Sequence, residues 1–251
     1  MSEYYNGKRK KNIFNPDSVA PFKISRSKID LYLRCPRCFY IDRRLGISPP
    51  PGYPFTLNSA VDALLKREFD IYREKQTQHP VMKAYGIEAV PFKHERLSLW
   101  RNTLKGGIEY LHKPTNFIVT GAVDDIWTDT KGQIYIVDYK ATAKTAEVTI
   151  DAEWQESYKK QMEVYQWLFR RNRFNVSPIG YFVYCNGLTD KENFNARLEF
   201  DIKIISYNGN DNWIESIIVD MHKCLVNSKI PEYSPQCDYC TYIKAIENSI
   251  S

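Results

Sequence analysis

The sequence predicts one α/β domain built around a central mixed β-sheet. Three observations point there. Apolar residues recur at helical spacing through the early part of the chain, β-rich runs take over from Phe117, and helix and strand then alternate. With 251 residues, 43% of them hydrophobic, the chain can bury a sizeable core without disulfide staples. Only 11 Gly and 13 Pro are present, which excludes disordered and fibrous classes. No apolar run approaches the ~18–20 residues that span a bilayer.

In chain order, residues 1–23 read as a flexible basic leader, and 24–251 as the single domain that follows. Ser27-Lys28-Ile29-Asp30 fits a capping box, so a short helix is expected to run from there to about Arg34. Ser48–Pro54 carries four prolines and a glycine and reads as a loop. Leu57, Ala60, Val61, Leu64, Leu65, Phe69 and Tyr72 predict a long amphipathic helix to about Glu74. Leu97, Trp100, Leu104, Ile108 and Leu111 predict another over 96–111. Phe117–Trp127 and Gln133–Lys140 form a β-hairpin around Thr128-Asp129-Thr130-Lys131-Gly132. A helix over Trp154–Arg171 follows, then strands at Ile179–Cys185 and Arg197–Ile205, then a helix over Trp213–Val226.

The formal charge of +5 is unevenly spread. Residues 1–23 hold five basic and two acidic groups, and 24–48 hold six basic against Asp30 and Asp42. Such asymmetry marks either a polyanion-binding arm or a solubilising tail. The first residues lack a signal peptide's apolar stretch, so a cytoplasmic, reducing location is expected.

The most informative segment ends the hairpin. In Ile134-Tyr135-Ile136-Val137-Asp138-Tyr139-Lys140, strand alternation puts Asp138 and Lys140 on one face with Ile134 and Ile136. Burying either charge costs several kcal/mol unless it is paired or bound to a metal. Asp124 lies on the preceding strand, across from Asp138. Two carboxylates and a lysine suit metal-assisted phosphodiester hydrolysis. The carboxylates hold a hard divalent ion that polarises the phosphoryl oxygen and acidifies a water. The lysine orients that water or meets developing negative charge.

With these residues placed, the chain resembles the PD-(D/E)XK nuclease superfamily, in particular its RecB-like and CRISPR-associated exonuclease branch. The branch's Gly-x-x-Asp, hairpin and Asp-Tyr-Lys stand here as Gly121 to Asp124 and Asp138-Tyr139-Lys140. The resemblance implies a restriction-endonuclease-like core, with Asp124 and Asp138 as metal ligands and Lys140 as the catalytic lysine. Asp125 falls one place late and faces the other way. The branch's Gln-x-x-x-Tyr is matched by Gln161 and Tyr165, one helical turn apart. Its Gly-x-x-x-His helix motif corresponds to Asn58–Asp62, with Asp in place of His. Aspartate suits Mg²⁺ or Mn²⁺, so Asp62 is expected as a third ligand and Glu68 as a weaker candidate. The four histidines form no ligand motif and read as surface or structural residues.

Four of the six cysteines form two Cys-x-x-Cys pairs, Cys35/Cys38 and Cys237/Cys240. Two such pairs complete a four-sulfur metal site that clamps the chain's ends together. The resemblance implies a 4Fe–4S cluster, since related exonucleases carry Cys-Pro-Arg early and a cysteine cluster late. Those relatives divide their cysteines one plus three, whereas this chain divides them two plus two, which keeps Zn²⁺ as the alternative. Cys185 and Cys224 read as buried thiols.

The expected function is a metal-dependent DNA nuclease, with the branch implying exonuclease action on single-stranded DNA or DNA ends. DNA repair, recombination or defence would be its setting, with a helicase or repair partner. The alternative is a catalytically silent nuclease-fold module that binds DNA or senses metal.

Overall fold

The computed structural model describes residues 8–50, 52, 56–104 and 106–250. The expected leader lies outside the described residues up to Gly7, and the expected 48–54 loop does so at 51, 53 and 54. In chain order the elements are β1 (Phe22–Ser25), α1 (Arg26–Arg34), α2 (Pro36–Tyr40), α3 (Thr56–Lys75) and α4 (Pro80–Ala84). Then come β2 (Val90–Pro91), α5 (Leu97–Trp100), β3 (Ile108–His112), β4 (Phe117–Gly121), β5 (Asp125–Thr128) and β6 (Ile134–Thr142). The chain finishes with α6 (Glu156–Arg171), β7 (Ile179–Gly187), β8 (Phe200–Asn208), α7 (Ile214–Val226) and α8 (Asp238–Ile250).

These elements sort into two compact units. One holds residues 54–108 and 121–211 and contains a five-stranded sheet of order β2-β5-β6-β7-β8. The sheet is mixed: β6 runs antiparallel to β5 and parallel to β7, while β8 returns antiparallel. Helices flank it. Val137 and Tyr139 of β6 join Leu65 and Phe69 of α3, Trp127, Val183 and Ile204 in one buried cluster. From α6, Met162 packs where a Cβ on Gly180 would come within 2.4 Å of its sulfur, so a side chain there would force Met162 to shift.

The other unit holds residues 1–53, 109–120 and 212–251. Its sheet has the order β1-β4-β3, with β1 and β4 parallel and Phe22 opposite Phe117. Within the stretch expected as a flexible leader, Phe14 is buried, packing edge-on against Phe22 and Phe117. Arg9 pairs with the fully buried Asp42 at 2.9 Å, alongside Lys28 at 2.9 Å and Arg43 at 2.7 Å. Three of the basic groups that make this region cationic therefore answer one interior carboxylate.

The structure corrects several local expectations. The 96–111 helix ends after Trp100, and Gly107, with a φ of +99°, donates its N–H to the Leu99 carbonyl at 2.8 Å. Ile108–His112 then alternates buried and exposed as a strand, leaving Leu104 and Leu111 exposed. The single expected strand Phe117–Trp127 divides after Gly121, its two parts joining different sheets. No capping box forms at Ser27. Ser25 is the N-cap of α1 without a side-chain cap, and Asp30 pairs with Arg34 one turn on. Trp154, expected on the buried helix face, sits in a short 3₁₀ turn and is 55% exposed. Among the described residues, no helix is long and apolar enough to cross a membrane.

The Asp42 cluster carries a pH signature. Burial pushes its carboxyl up, but hydrogen bonds from Arg43, Ser48 and Lys28 outweigh that and lower its pKa from 3.8 to about 2. A depressed folded pKa contributes stability that is complete above the unfolded value and is lost as pH falls through the folded one. Denaturant unfolding at stepped pH should show wild-type stability falling between pH 3.8 and about 2. Asp42→Asn should be less stable at neutral pH and lose less across that window; a parallel fall in both proteins would remove Asp42 as the cause.

Candidate active site and four-cysteine metal centre

The acidic–lysine residues Asp138 and Lys140 lie along the middle and second half of β6, in the larger-sheet unit. Asp138 is wholly buried and ion-paired with Lys140, whose side chain is largely covered. Asp124 lies just before β5, and its Oδ2 accepts the Tyr139 backbone N–H at 3.0 Å. That bond holds Asp124 beside the Asp138–Lys140 step. From α3, Asn58 Nδ2 donates to the Ala141 carbonyl at 3.2 Å, so the helix start is tied to the strand end. Asp62 follows one turn later on α3.

Lys66, a residue the motif reading passes over, connects these carboxylates. Its Nζ lies 2.8 Å from Asp62 Oδ2 and 3.2 Å from Asp124 Oδ1. Burial lowers the pKa of Lys66, but Asp124 and Asp62 raise it by more. Burial and the nearby Asp124 charge raise that of Asp62 against the pull of Lys66. Lys140 behaves as Lys66 does: burial pulls down, Asp138 and then Asp124 pull up, and the net is upward. The only sequence signal for Lys66 is its i, i+4 spacing from Asp62, a pattern usually found on solvated helix faces.

Asp125, one residue after Asp124, points inward. It is fully buried, accepts from the Tyr139 hydroxyl at 2.7 Å and pairs with Arg101 at 2.7 Å and with Arg73. Glu68 bonds His79 at 2.8 Å, and His79 itself is buried and stacked on Phe69. His112 is likewise buried, bonding Thr115 and Glu215 at 2.8 Å each.

Gln161 and Tyr165 share one turn of α6, where Gln161 Nε2 donates to the Tyr165 hydroxyl at 3.1 Å. The Tyr165 ring lies against Gly121; a Cβ there would stand 2.6 Å from its Cε1. The glycine three residues before Asp124 is therefore what lets this ring close on the strand end. Tyr158, also on α6, presents its ring 4.3 Å from Lys140 Nζ.

Carboxylates without a thiol or imidazole have the chemistry that suits a hard divalent ion, although Asp62, Asp124 and Asp138 do not all lie within 4.8 Å of one another. Asp62 and Asp124 converge on Lys66, and Asp138 on Lys140. Among the described residues, the potential metal-binding group of three or more that gathers within 4.8 Å is the cysteine set.

The cysteine site belongs to the other unit. Cys35 ends α1 and caps α2, its Sγ accepting the Cys38 N–H at 3.3 Å. Cys237 and Cys240 sit at the start of α8. The Sγ atoms of Cys35 and Cys240 are 3.5 Å apart, Cys38 and Cys237 3.6 Å, and Cys38 and Cys240 4.0 Å. Arg37, between the first pair, stacks over the Tyr233 ring at 3.8 Å and donates to the Pro231 carbonyl at 2.9 Å. It fastens the loop that delivers the second pair. Four thiols this close and largely buried need a cation if they are to ionise together. Cys185 is buried, whereas Cys224 is partly exposed.

The fold is a mixed α/β one with helices flanking a central sheet, and the family comparison gives its class. The chain belongs to the PD-(D/E)XK nuclease superfamily, whose family model matches residues 54–245. None of the curated proteins matches the chain significantly. A solved structure titled "Crystal structure of SSO0001" aligns at 16% identity over 94% of this chain and 86% of its own. Its TM-score of 0.36 is too low to support an argument.

The Gly121–Tyr165 contact is directly testable. Gly121→Ala should cost about 1–3 kcal/mol by overpacking. In a Tyr165→Ala background the same substitution should cost markedly less. Urea unfolding of the four proteins measures this, and an undiminished penalty would place the clash elsewhere.

Proposed function

We propose that this chain is a Mg²⁺- or Mn²⁺-dependent deoxyribonuclease of the RecB-like type, acting on single-stranded DNA or DNA ends. The observation that carries the reading is the joint placement of Asp124, Asp138 and Lys140 at the second half of β6, with Asp62 beside them. Asp124, Asp138 and Asp62 would hold the divalent ion. When bound, that ion polarises a phosphoryl oxygen and lowers the pKa of a water. The chain's own contribution is positioning. Asp138 and the Tyr158 ring fix the Lys140 ammonium, which can orient the attacking water and meet negative charge developing on phosphate. Lys66 holds Asp62 and Asp124 in one arrangement despite their mutual repulsion. Gln161 and Tyr165 support the strand end through Gly121. DNA repair, recombination or defence would use such an activity, with a helicase or repair protein delivering the strand.

End-labelled single- and double-stranded DNA, incubated with Mg²⁺ or Mn²⁺, tests this. Cleavage is expected, and Lys140→Ala should lower its rate by about 10²-fold or more. No cleavage at all, or cleavage unchanged in Lys140→Ala, would overturn the reading.

We further assign the four cysteines to one zinc ion rather than to a 4Fe–4S cluster. Tetrahedral zinc with bonds of ~2.3 Å sets sulfurs about 3.8 Å apart. Separations of 3.5, 3.6 and 4.0 Å support that. In a cluster each thiolate sits on a different iron, which spreads the sulfurs beyond one ion's coordination sphere. Metal analysis of protein purified without oxygen should find one zinc per chain in a colourless sample. A strong chelator should then destabilise the protein, because metal binding contributes to folding. Iron with acid-labile sulfide and visible colour would replace zinc with the cluster.

A further inference from the structure

One ring beyond Lys140 the structure holds a side chain that the proposed mechanism leaves unused, Trp154. Tyr158, whose ring lies 4.3 Å from Lys140 Nζ, is met edge-on by Trp154 at 5.5 Å between ring centroids. Trp154 is 55% exposed, and Lys144 Nζ approaches its ring at 5.2 Å. A tryptophan so exposed gives up the burial that its size normally gains.

Its backbone is anchored. The next residue, Gln155, is fully buried and bonded three ways: Nε2 donates to the Thr149 carbonyl at 2.7 Å and lies 3.1 Å from the Tyr184 hydroxyl. Its Oε1 accepts the Ala152 N–H at 3.0 Å. Ser157 Oγ donates to the Trp154 carbonyl at 3.1 Å. Lys144 is anchored too, because Asn186 accepts its N–H at 2.8 Å and donates to its carbonyl at 2.9 Å. Buried polar groups thus hold the backbone from which the exposed ring and the Lys144 side chain project.

An exposed indole on an anchored turn beside Lys144, one aromatic ring from Lys140, has the composition of a base-stacking platform. We propose that Trp154, with Tyr158 and Lys144, stacks an unpaired nucleobase of the substrate strand, within a nucleotide or two of the phosphate at Lys140. Lys144 would meet the neighbouring phosphate. A base inside a duplex is already stacked and cannot present its face, so the platform selects single strands or frayed ends. The location of the scissile phosphate rests on the nuclease reading; the stacking itself does not.

The experiment measures binding without cleavage. A fluorescein-labelled oligo(dT) and a blunt hairpin duplex are titrated by anisotropy in buffer free of divalent cations. Trp154→Ala should weaken oligo(dT) binding about 5- to 150-fold, the range for one lost base stack. Trp154→Phe should keep most of the affinity, and hairpin binding should change little. Abasic sites stepped along the strand should contain one position whose loss weakens wild type but not Trp154→Ala. Equal weakening for hairpin and single strand, oligo(dT) affinity unchanged in Trp154→Ala, or no such abasic position overturns the platform. Platform binding with no DNA hydrolysis under Mg²⁺ or Mn²⁺ would overturn the nuclease reading alone.

Discussion

A carboxylate removed from water must meet a cation, or its burial costs more than most contacts return. Asp42, Asp125 and Asp138 are each wholly buried in this chain, and each is answered. Arg9, Lys28 and Arg43 surround Asp42; Arg73 and Arg101 hold Asp125; Lys140 holds Asp138. The formal charge of +5 is therefore a poor guide to where polyanions are attracted. Arg9, Lys28 and Arg43, in the most basic part of the chain, are already engaged inside the fold.

The adjacent pair Asp124 and Asp125 shows how one constraint yields two roles. Successive strand residues face opposite ways. Asp125 enters the interior on the Tyr139 side and is neutralised by two arginines, which makes it part of the scaffold. Asp124 stays partly exposed and is oriented by a single backbone N–H and by Lys66. Under the proposed nuclease function, an oxygen held this way would exchange its ammonium partner for a metal ion, whereas one locked between two buried guanidinium groups could not do so cheaply.

How much of this was legible in the sequence follows from the range of the forces involved. Helices α3, α6 and α7 and the β5–β6 turn are local patterns, so periodicity and turn residues sufficed for them. Residues 108–112 fit a helix because Ile108 and Leu111 are three apart, yet pairing with β4, the next strand, decides the outcome. Phe14 lies in a polar, basic stretch, and only its packing on Phe22 and Phe117 makes it core. At the site, Asp124, Asp138 and Lys140 were readable because charges at the end of an apolar strand are costly. Lys66 was not, because a lysine one turn after an aspartate is ordinary on any solvated helix. Trp154 fits a core position by spacing, yet it lies in the 3₁₀ turn before α6 and is 55% exposed.

The two sides of β6 show why the unit needs so little else to assemble its site. Val137 and Tyr139 take one side and pack with α3 residues into the apolar cluster, which fixes the strand's register and height. Asp138 and Lys140 take the other, where Tyr158 of α6 covers the lysine. A one-residue slip would place a carboxylate and an ammonium among Phe69, Trp127 and Val183, and would put Tyr139 and Val137 where the charges now stand. The hydrophobic cost of that error is what holds Asp138 and Lys140 in position. Precision at the polar site is thus supplied by the apolar face behind it, and no separate scaffold has to be invoked for the pair.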